Sequence, residues 1–208
     1  MARDRRSQQR AHGSSGLIAG RIGVTLLALY LFAVALRIDG CYGPELQARD
    51  ERAQAGPAVG APFPDFALRD VSGTTIRRHD LAGAPAVLVF APSLDWSAPT
   101  KARLIDLAEA ARVRPDVRVA VVTTAAQDTP RARTFVRDRA TPFYYLVDDA
   151  GLTAGLGLAV ESPDGSPAAV PAVFVLGADG VVRLRDVRTR PERWLDPRVV
   201  LDAAGTVG

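Results

Sequence analysis

The pattern of apolar and polar positions divides the chain into an apolar amino-terminal stretch and a longer part in which short strand-like and helix-like runs alternate. The runs AVLVFA at 86–91 and VRVAVVT at 117–123 are almost continuously apolar, which is typical of strands buried on both faces. Between them, residues 98–113 carry leucine and alanine at helical spacing. This order predicts a βαβ unit with two parallel strands.

Further runs on either side of this unit predict hairpins and helices. Residues 66–68 and 74–76 flank a glycine turn and predict a hairpin before the βαβ unit. Residues 129–139 predict a helix that follows it, with Thr129 as the N-cap and Pro130 at the first helical position. The other predicted elements are a strand at 143–147, a short helical turn at 151–157, an antiparallel hairpin at 172–176 and 181–187, and a closing helix at 194–204.

The longest apolar stretch is IGVTLLALYLFAVAL at 22–36, bracketed by Arg21 and Arg37. Fifteen helical residues cover about 22 Å, so residues 17–20 are needed to cross a hydrocarbon core of roughly 30 Å. We therefore predict a transmembrane anchor at 17–37. Because the tail at 1–16 is rich in arginine, we expect it in the cytoplasm and everything after Arg37 on the extracytoplasmic side of the cytoplasmic membrane.

Two other interpretations of this segment remain open. One is a cleaved signal peptide, whose apolar region typically runs 7 to 15 residues. The other is a lipoprotein, because Ile38-Asp39-Gly40-Cys41 partly fits a lipidation box, although Asp39 and Arg37 fit it poorly. All three interpretations put the rest of the chain on the same side of the membrane. Residues 38–59 have the composition of a flexible linker, and residues 60–205 are predicted to form one folded domain.

Charge and composition exclude several classes of function. The net charge of +3 belongs to the tail, since residues 1–21 hold five arginines and one aspartate. A nucleic-acid partner is therefore not expected. The single cysteine, Cys41, excludes an intrachain disulfide and a four-cysteine metal site. The two histidines, His12 and His79, are far apart and match no metal-binding spacing, so we expect neither a metal nor another cofactor.

Several strings, taken in order, resemble the thioredoxin-like superfamily, in particular its peroxiredoxin (AhpC/TSA-like, redoxin) and membrane-tethered thiol-reductase branches. The resemblance implies an α/β fold with a central mixed sheet flanked by helices and an N-terminal β-hairpin, here preceded by one transmembrane helix. The strings are VGAPFPDF at 59–66, DVSG at 70–73 with LAG at 81–83, FYYLVD at 143–148, and VPAVFV at 170–175 with DG at 179–180.

The segment FAPSLDWSAPTK at 90–101 occupies the place of the family's redox motif, W-C-x-P-C-K/R. In that motif a thiol at a helix N-terminus has a lowered pKa and attacks as the thiolate. Here Ser97 and Thr100 stand at the two cysteine positions, beside Trp96 and Pro99. Hydroxyl groups form no disulfide, so the motif is degenerate and we assign no catalytic residue.

The peroxiredoxin pattern P-x-x-x-T-x-x-C is also absent. Counted from Pro92, it reaches Trp96 and Pro99 where threonine and cysteine belong. The arginine that supports the peroxide in that branch would fall near Pro171 and is missing. Val170-Pro171 instead resembles the cis-proline that shapes a peptide-binding groove in thioredoxins. The resemblance therefore implies a binding site at Trp96, Val170 and Pro171.

Each of these residues has a plainer interpretation. Ser97 is better explained as the N-cap of the helix than as a nucleophile, because neither histidine has the context of a base. Trp96 fits partner binding and ordinary packing equally well. Cys41 lies in the linker, where it could carry a lipid, link two chains into a homodimer, or remain free.

Three functional hypotheses follow. The first is a membrane-anchored, extracytoplasmic and non-catalytic module that binds a protein or an extended peptide. The second is a thiol oxidoreductase or antioxidant protein of the redoxin type. The third is a structural role as a dimer linked through Cys41. The missing motif thiols favour the first hypothesis over the second.

Overall fold

The computed structural model describes residues 52–139, 141–188 and 195–206, together with Leu27, Ala28, Tyr30 and Leu31. These four residues are helical and exposed. The chain divides into two compact units, Met1–Ala48 and Arg49–Gly208. Within the described parts, no helix is long and apolar enough to cross a membrane. The tail at 1–16, most of the predicted anchor at 17–37, and Cys41 lie outside the described residues.

The described residues of the second unit contain nine strands, seven of which form one mixed sheet in the order β2-β1-β5-β4-β3-β8-β9. The other two, β6 and β7, form a separate hairpin. The strands are β1 (Ala67–Asp70), β2 (Thr75–Arg77), β3 (Ala86–Phe90), β4 (Arg118–Thr124), β5 (Tyr144–Asp148), β6 (Ala159–Glu161), β7 (Pro167–Ala169), β8 (Ala172–Leu176) and β9 (Val182–Val187). The helices are α1 (Ala98–Arg112), α2 (Pro130–Asp138), α3 (Leu152–Gly155) and α4 (Pro197–Gly205), with 3-10 turns at Arg78–Leu81 and Ala125–Gln127.

The centre of the sheet is parallel and its flanks are antiparallel. Strand β4 runs parallel to both β3 and β5, and β8 runs antiparallel to β3. Strands β3 and β8 are buried along their whole length, as their continuous apolar sequences predict. The predicted βαβ unit and both predicted hairpins are thus confirmed, with boundaries shifted by one or two residues.

Side chains pack on both faces of the sheet. On one face, Phe90 and Phe174 lie in a cluster with Phe63 and the β1–β2 hairpin. On the other, Val121 and Tyr145 lie beneath α1, α2 and α4. The alternation along each strand sends neighbouring residues to opposite faces, so the two clusters are separated by the sheet.

The three longer helices begin in a similar way, with a polar cap and a proline at the first or second helical position. The Ser97 hydroxyl accepts from the amide of Thr100 at the start of α1, and the Thr129 hydroxyl accepts from Ala132 at the start of α2. The Asp196 carboxylate accepts from Arg198 at the start of α4. Because proline lacks an N–H, it fits the first turn, where amide groups have no partner within the helix.

Residues 52–59 pack against the domain, although the sequence places them in the linker. The amide of Gly56 donates to the carbonyl of Leu156 (2.9 Å), and the amide of Gly60 donates to Val182 (2.8 Å). Gly56 has a φ of +79°, and a Cβ at this position would lie 2.5 Å from the Phe174 ring. Glycine is needed there for both reasons. The ordered contacts of the domain therefore begin before residue 60.

The β6–β7 hairpin is an element that the sequence analysis did not predict. Its strands have three residues each, too few for a visible alternation. The turn is closed by Asp164, which accepts from the amide of Ser166 at 3.0 Å. Hydrogen bonds from the hydroxyls of Ser162 and Ser166 lower the pKa of Asp164 to about 2. Hydrogen bonds from the side chains of the turn thus stabilise the two short strands.

Candidate functional site

The segment at 90–101 lies where β3 ends and α1 begins. Strand β3 ends at Phe90, and a largely buried loop at 91–96, which we call the motif loop, follows. Ser97 then caps the first turn of α1. The amide groups of this turn point toward the loop and carry the positive end of the helix dipole. A thiolate at position 97 would be stabilised by this environment. The strand-to-helix turn at this position therefore carries serine and threonine side chains and no thiol.

Ser97 and Thr100 are in direct contact. Their hydroxyl oxygens are 2.7 Å apart, and the Thr100 amide donates to Ser97 Oγ at 3.4 Å. Both side chains are buried, with exposed fractions of 3% and 0%. The Ser97 hydroxyl therefore caps the helix, and the two hydroxyls also bond to each other inside the protein. The N-cap interpretation of Ser97 agrees with this geometry.

Trp96 is partly exposed and held in place by Gln127. Its exposed fraction is 43%. The indole Nε1–H donates to Gln127 Oε1 at 3.1 Å, and Gln127 Nε2 donates to Ser166 Oγ at 2.8 Å. The Thr124 hydroxyl also donates to the carbonyl of Pro167 at 2.7 Å. The buried Gln127 side chain thus joins the motif loop, the end of β4 and the β6–β7 hairpin.

Gln127 and Ser166 were missed by the sequence analysis. The available signal was the position of Gln127, a polar residue soon after the apolar run of β4. Nothing local relates it to Trp96 or Ser166, because these residues are 31 and 39 positions away. The contacts depend on the arrangement of the chain in three dimensions.

Val170 and Pro171 lie beside the motif loop but inside the protein. Phe90 pairs with Ala172, so Pro171 is opposite the residue that follows β3. Val170 and Pro171 are both buried. The described residues contain no cis peptide bond, so the expectation of a cis Val170–Pro171 bond is wrong. Non-local packing selects the isomer, and a dipeptide sequence does not specify it.

Three polar atoms are buried near the motif and have no hydrogen-bond partner among the described residues: Asp95 Oδ1, Thr123 Oγ1 and Tyr145 OH. Burial raises the pKa of the Tyr145 hydroxyl, and the negative charges of Asp128 and Asp95 raise it further. Tyr145 therefore remains protonated at neutral pH and cannot serve as a base.

A hydrolytic use of Ser97 has no support in this geometry. His79 follows β2 at the edge of the sheet, where its Nε2 lies 3.4 Å from Asp80 Oδ1. The contacts of Ser97 are with Thr100 and Lys101 in the first turn of α1. Within the described ranges, no group of three or more histidine, cysteine or acidic residues is arranged to hold a metal ion.

Solved structures with a similar fold include a peroxidoxin, a thiol peroxidase and a peroxiredoxin-like protein. Peroxidoxin BcpB of Mycobacterium tuberculosis is 19% identical, with a TM-score of 0.59 over 72% of this chain and 97% of that one. A thiol peroxidase of Chromobacterium violaceum is 17% identical, with a TM-score of 0.60 over 73% and 88%. A peroxiredoxin-like protein of Aquifex aeolicus is 16% identical, with a TM-score of 0.63 over 73% and 88%. The TM-scores of these three structures support a common fold.

Sequence comparison gives the family directly. No curated protein matches the chain. The AhpC/TSA family matches residues 59–185, which is more than half of the chain. The match includes the motif loop, Trp96, Ser97 and Thr100. The resemblance to the thioredoxin-like superfamily is thereby confirmed, and the chain belongs to the AhpC/TSA family.

Proposed function

We propose that this protein is a non-catalytic binding module that keeps the family fold without its thiol chemistry. The observation that carries the proposal is the buried contact between the hydroxyls of Ser97 and Thr100, 2.7 Å apart at the two cysteine positions. A serine or threonine hydroxyl has a pKa far above neutral and forms no disulfide. No cysteine occurs after Cys41. The domain thus carries no group for dithiol exchange.

The proposed binding surface is centred on Trp96. Val170 and Pro171 are both buried, so the proposed surface does not extend to them. Trp96 presents 43% of its surface to solvent while its indole N–H is held by Gln127. A partly exposed tryptophan of fixed orientation loses little conformational entropy on binding, and such residues often dominate interface energetics. We therefore propose a protein or peptide partner at this end of the sheet.

The module is proposed to act at the outer face of the cytoplasmic membrane. The support is the apolar segment at 22–36 together with the arginine-rich residues before it, which favour a single-pass anchor at 17–37 with the domain outside. Anchoring confines the domain to the surface where membrane and extracytoplasmic partners occur.

The purified full chain is expected to show neither insulin-reducing nor peroxide-consuming turnover above a buffer blank. The reason is the absence of a thiol after Cys41, which itself lies outside the motif. The control is the Cys41→Ser variant, which removes the last thiol. Turnover in the original chain that disappears in this variant would favour the alternative, a redoxin-type thiol oxidoreductase that uses Cys41.

Photo-crosslinking from position 96 is expected to capture a specific partner in intact membranes. A photoreactive phenylalanine analogue replaces Trp96, and a matched variant carries the same group at Val199, which is 56% exposed on α4. We expect a discrete crosslinked product from position 96 and none from position 199. Identical products from both positions, or none from either, would contradict a binding surface at Trp96.

A further inference from the structure

Helix α2 has an exposed side that is rich in arginine. The helix buries Ala132 and Val136 against the sheet, so its opposite side faces solvent. The exposed arginines on and beside this helix form what we call the basic face. Its members are Arg112, at the end of α1, and Arg131, Arg133, Arg137 and Arg139.

Most of the charge on the basic face is not neutralised within the protein. Arg133 donates to Asp128 through Nε, at 2.9 Å from Oδ1. Among the described residues, none of the other four arginines forms an ion pair with a carboxylate. Asp138 is the one exposed acidic side chain on α2. The arginine-rich tail accounts for the chain's net charge of +3, so the domain as a whole is nearly neutral. The excess of positive charge on the basic face is therefore local.

Two of these arginines are held at the carboxyl end of α2. The Arg139 guanidinium lies over the Phe135 ring, with Cζ 4.1 Å from the ring centroid. Arg112 Nη2 donates to the carbonyl oxygen of Arg139 at 3.0 Å. The negative end of the helix dipole favours cations at this place. The charges are therefore positioned on the surface by the fold.

We propose that the basic face binds the anionic phosphate headgroups of the membrane that holds the proposed anchor. The inference goes beyond the binding site at Trp96, but it rests on the proposed anchoring. Residues 38–51 can span at most about 50 Å when fully extended, so an anchor ending at Arg37 keeps the domain within that distance of the lipid. Such a tether raises the effective concentration of the headgroups around the domain. A weak attraction between the arginines and the phosphates is then sufficient for binding.

The chemistry of the face fits a lipid surface. Its arginines are spread over one helix and the end of its neighbour, and a lipid surface presents many phosphate groups to which such spread charges can bind. Each arginine near an anionic membrane surface contributes a factor of about five to binding. Arg131, Arg137 and Arg139 together then favour the bound domain by about a hundredfold, which salt reduces.

The test uses the full chain reconstituted in vesicles, in a Cys41→Ser background with a donor fluorophore at Thr134→Cys on the basic face. Energy transfer to a headgroup-labelled acceptor lipid is expected to be higher in vesicles containing phosphatidylglycerol than in phosphatidylcholine alone. Arg131→Gln, Arg137→Gln and Arg139→Gln together should lower the ratio of bound to free domain about a hundredfold.

A control variant of equal charge carries Arg52→Gln, Arg77→Gln and Arg198→Gln, and it should retain the transfer. A donor at Val59→Cys, beside β9, should show a weaker dependence on lipid charge than the donor at position 134. Transfer at position 134 that is equal in both vesicles, or equal in the two triple variants, would overturn the proposal. If a short DNA duplex, added at a phosphate concentration equal to that of the lipid, releases the basic face from the vesicles, the face binds nucleic acid. That result would also overturn the proposal.

Sedimentation with neutral vesicles separates the two proposals. A chain that fails to sediment with phosphatidylcholine vesicles overturns the anchoring on which the basic-face proposal rests. If the chain sediments but shows no charge-dependent energy transfer, the basic-face proposal alone is overturned. The proposed anchor and the proposed binding surface at Trp96 are then unaffected.

Discussion

Changing Ser97 and Thr100 together to cysteine, in a Cys41→Ser background, is expected to produce an intradomain disulfide under mild oxidation. The two hydroxyl oxygens already lie 2.7 Å apart, and both side chains are buried in the first turn of α1. Disulfide closure requires Cα atoms about 4.4 to 6.8 Å apart, a separation that one helical turn supplies. The variant should therefore gain a redox-active pair without a change of fold.

The new pair should equilibrate with a glutathione buffer at a potential in the range of about −270 to −120 mV found for dithiol oxidoreductases. The helix N-terminus lowers the pKa of a thiol at position 97, and the ammonium group of Lys101 acts in the same direction. Lys101 Nζ lies 3.4 Å from the carbonyl oxygen of Asp95, close to the motif loop. Quantifying free thiols against the buffer ratio gives the potential.

A matched control introduces two cysteines with the same spacing in the last turns of the same helix, through Glu109→Cys and Arg112→Cys. Both residues are exposed on α1 and lack the N-terminal position. We expect this pair to stay reduced under conditions that close the motif pair. If the motif pair also stays reduced while circular dichroism shows an intact fold, then the alignment of Ser97 and Thr100 with the family's two cysteines is wrong.

Phe174→Ala is expected to lower the free energy of unfolding by about 3 to 5 kcal/mol, because it removes a large side chain from a packed core. Phe174 is fully buried on β8, with its ring centroid 5.3 Å from that of Phe63 and 5.8 Å from that of Phe90. Its ring also lies against Gly56, so the change loosens residues 52–59. Urea unfolding followed by far-UV circular dichroism measures the effect.

The control for this change is Tyr144→Ala. Tyr144 is also an aromatic strand residue, but it is 40% exposed on β5. Truncating it leaves no enclosed cavity, so we expect a loss below about 1 kcal/mol. Equal losses in the two variants would contradict the packing role assigned to Phe174.

Most secondary structure elements and their order were predictable from the sequence, because their signals are local. The buried strands β3 and β4 are visible as continuous apolar runs, and the start of α2 is visible in the cap Thr129 followed by Pro130. The absence of any thiol after Cys41 is also a property of the sequence.

The candidate site was predictable only in part. The sequence indicated Trp96 but left its role open, and it gave no sign that Gln127 contacts Trp96. It also suggested an exposed groove beside Pro171, whereas that residue is buried after a trans bond. Burial of a loop depends on which distant segments cover it, and no local pattern encodes such contacts.

The sequence by itself determined the family, the element order, the missing thiols and the arginine-rich composition of α2. The tertiary structure alone decided that residues 52–59 pack on the core, that Gln127 joins Trp96 to the β6–β7 hairpin, and that four arginines of the basic face have no carboxylate partner among the described residues. The physical reason is the separation along the chain over which each kind of signal acts. Periodicity, caps and motifs act over a few residues, whereas burial, ion pairing and hydrogen bonds between segments depend on parts of the chain that are brought together only by folding.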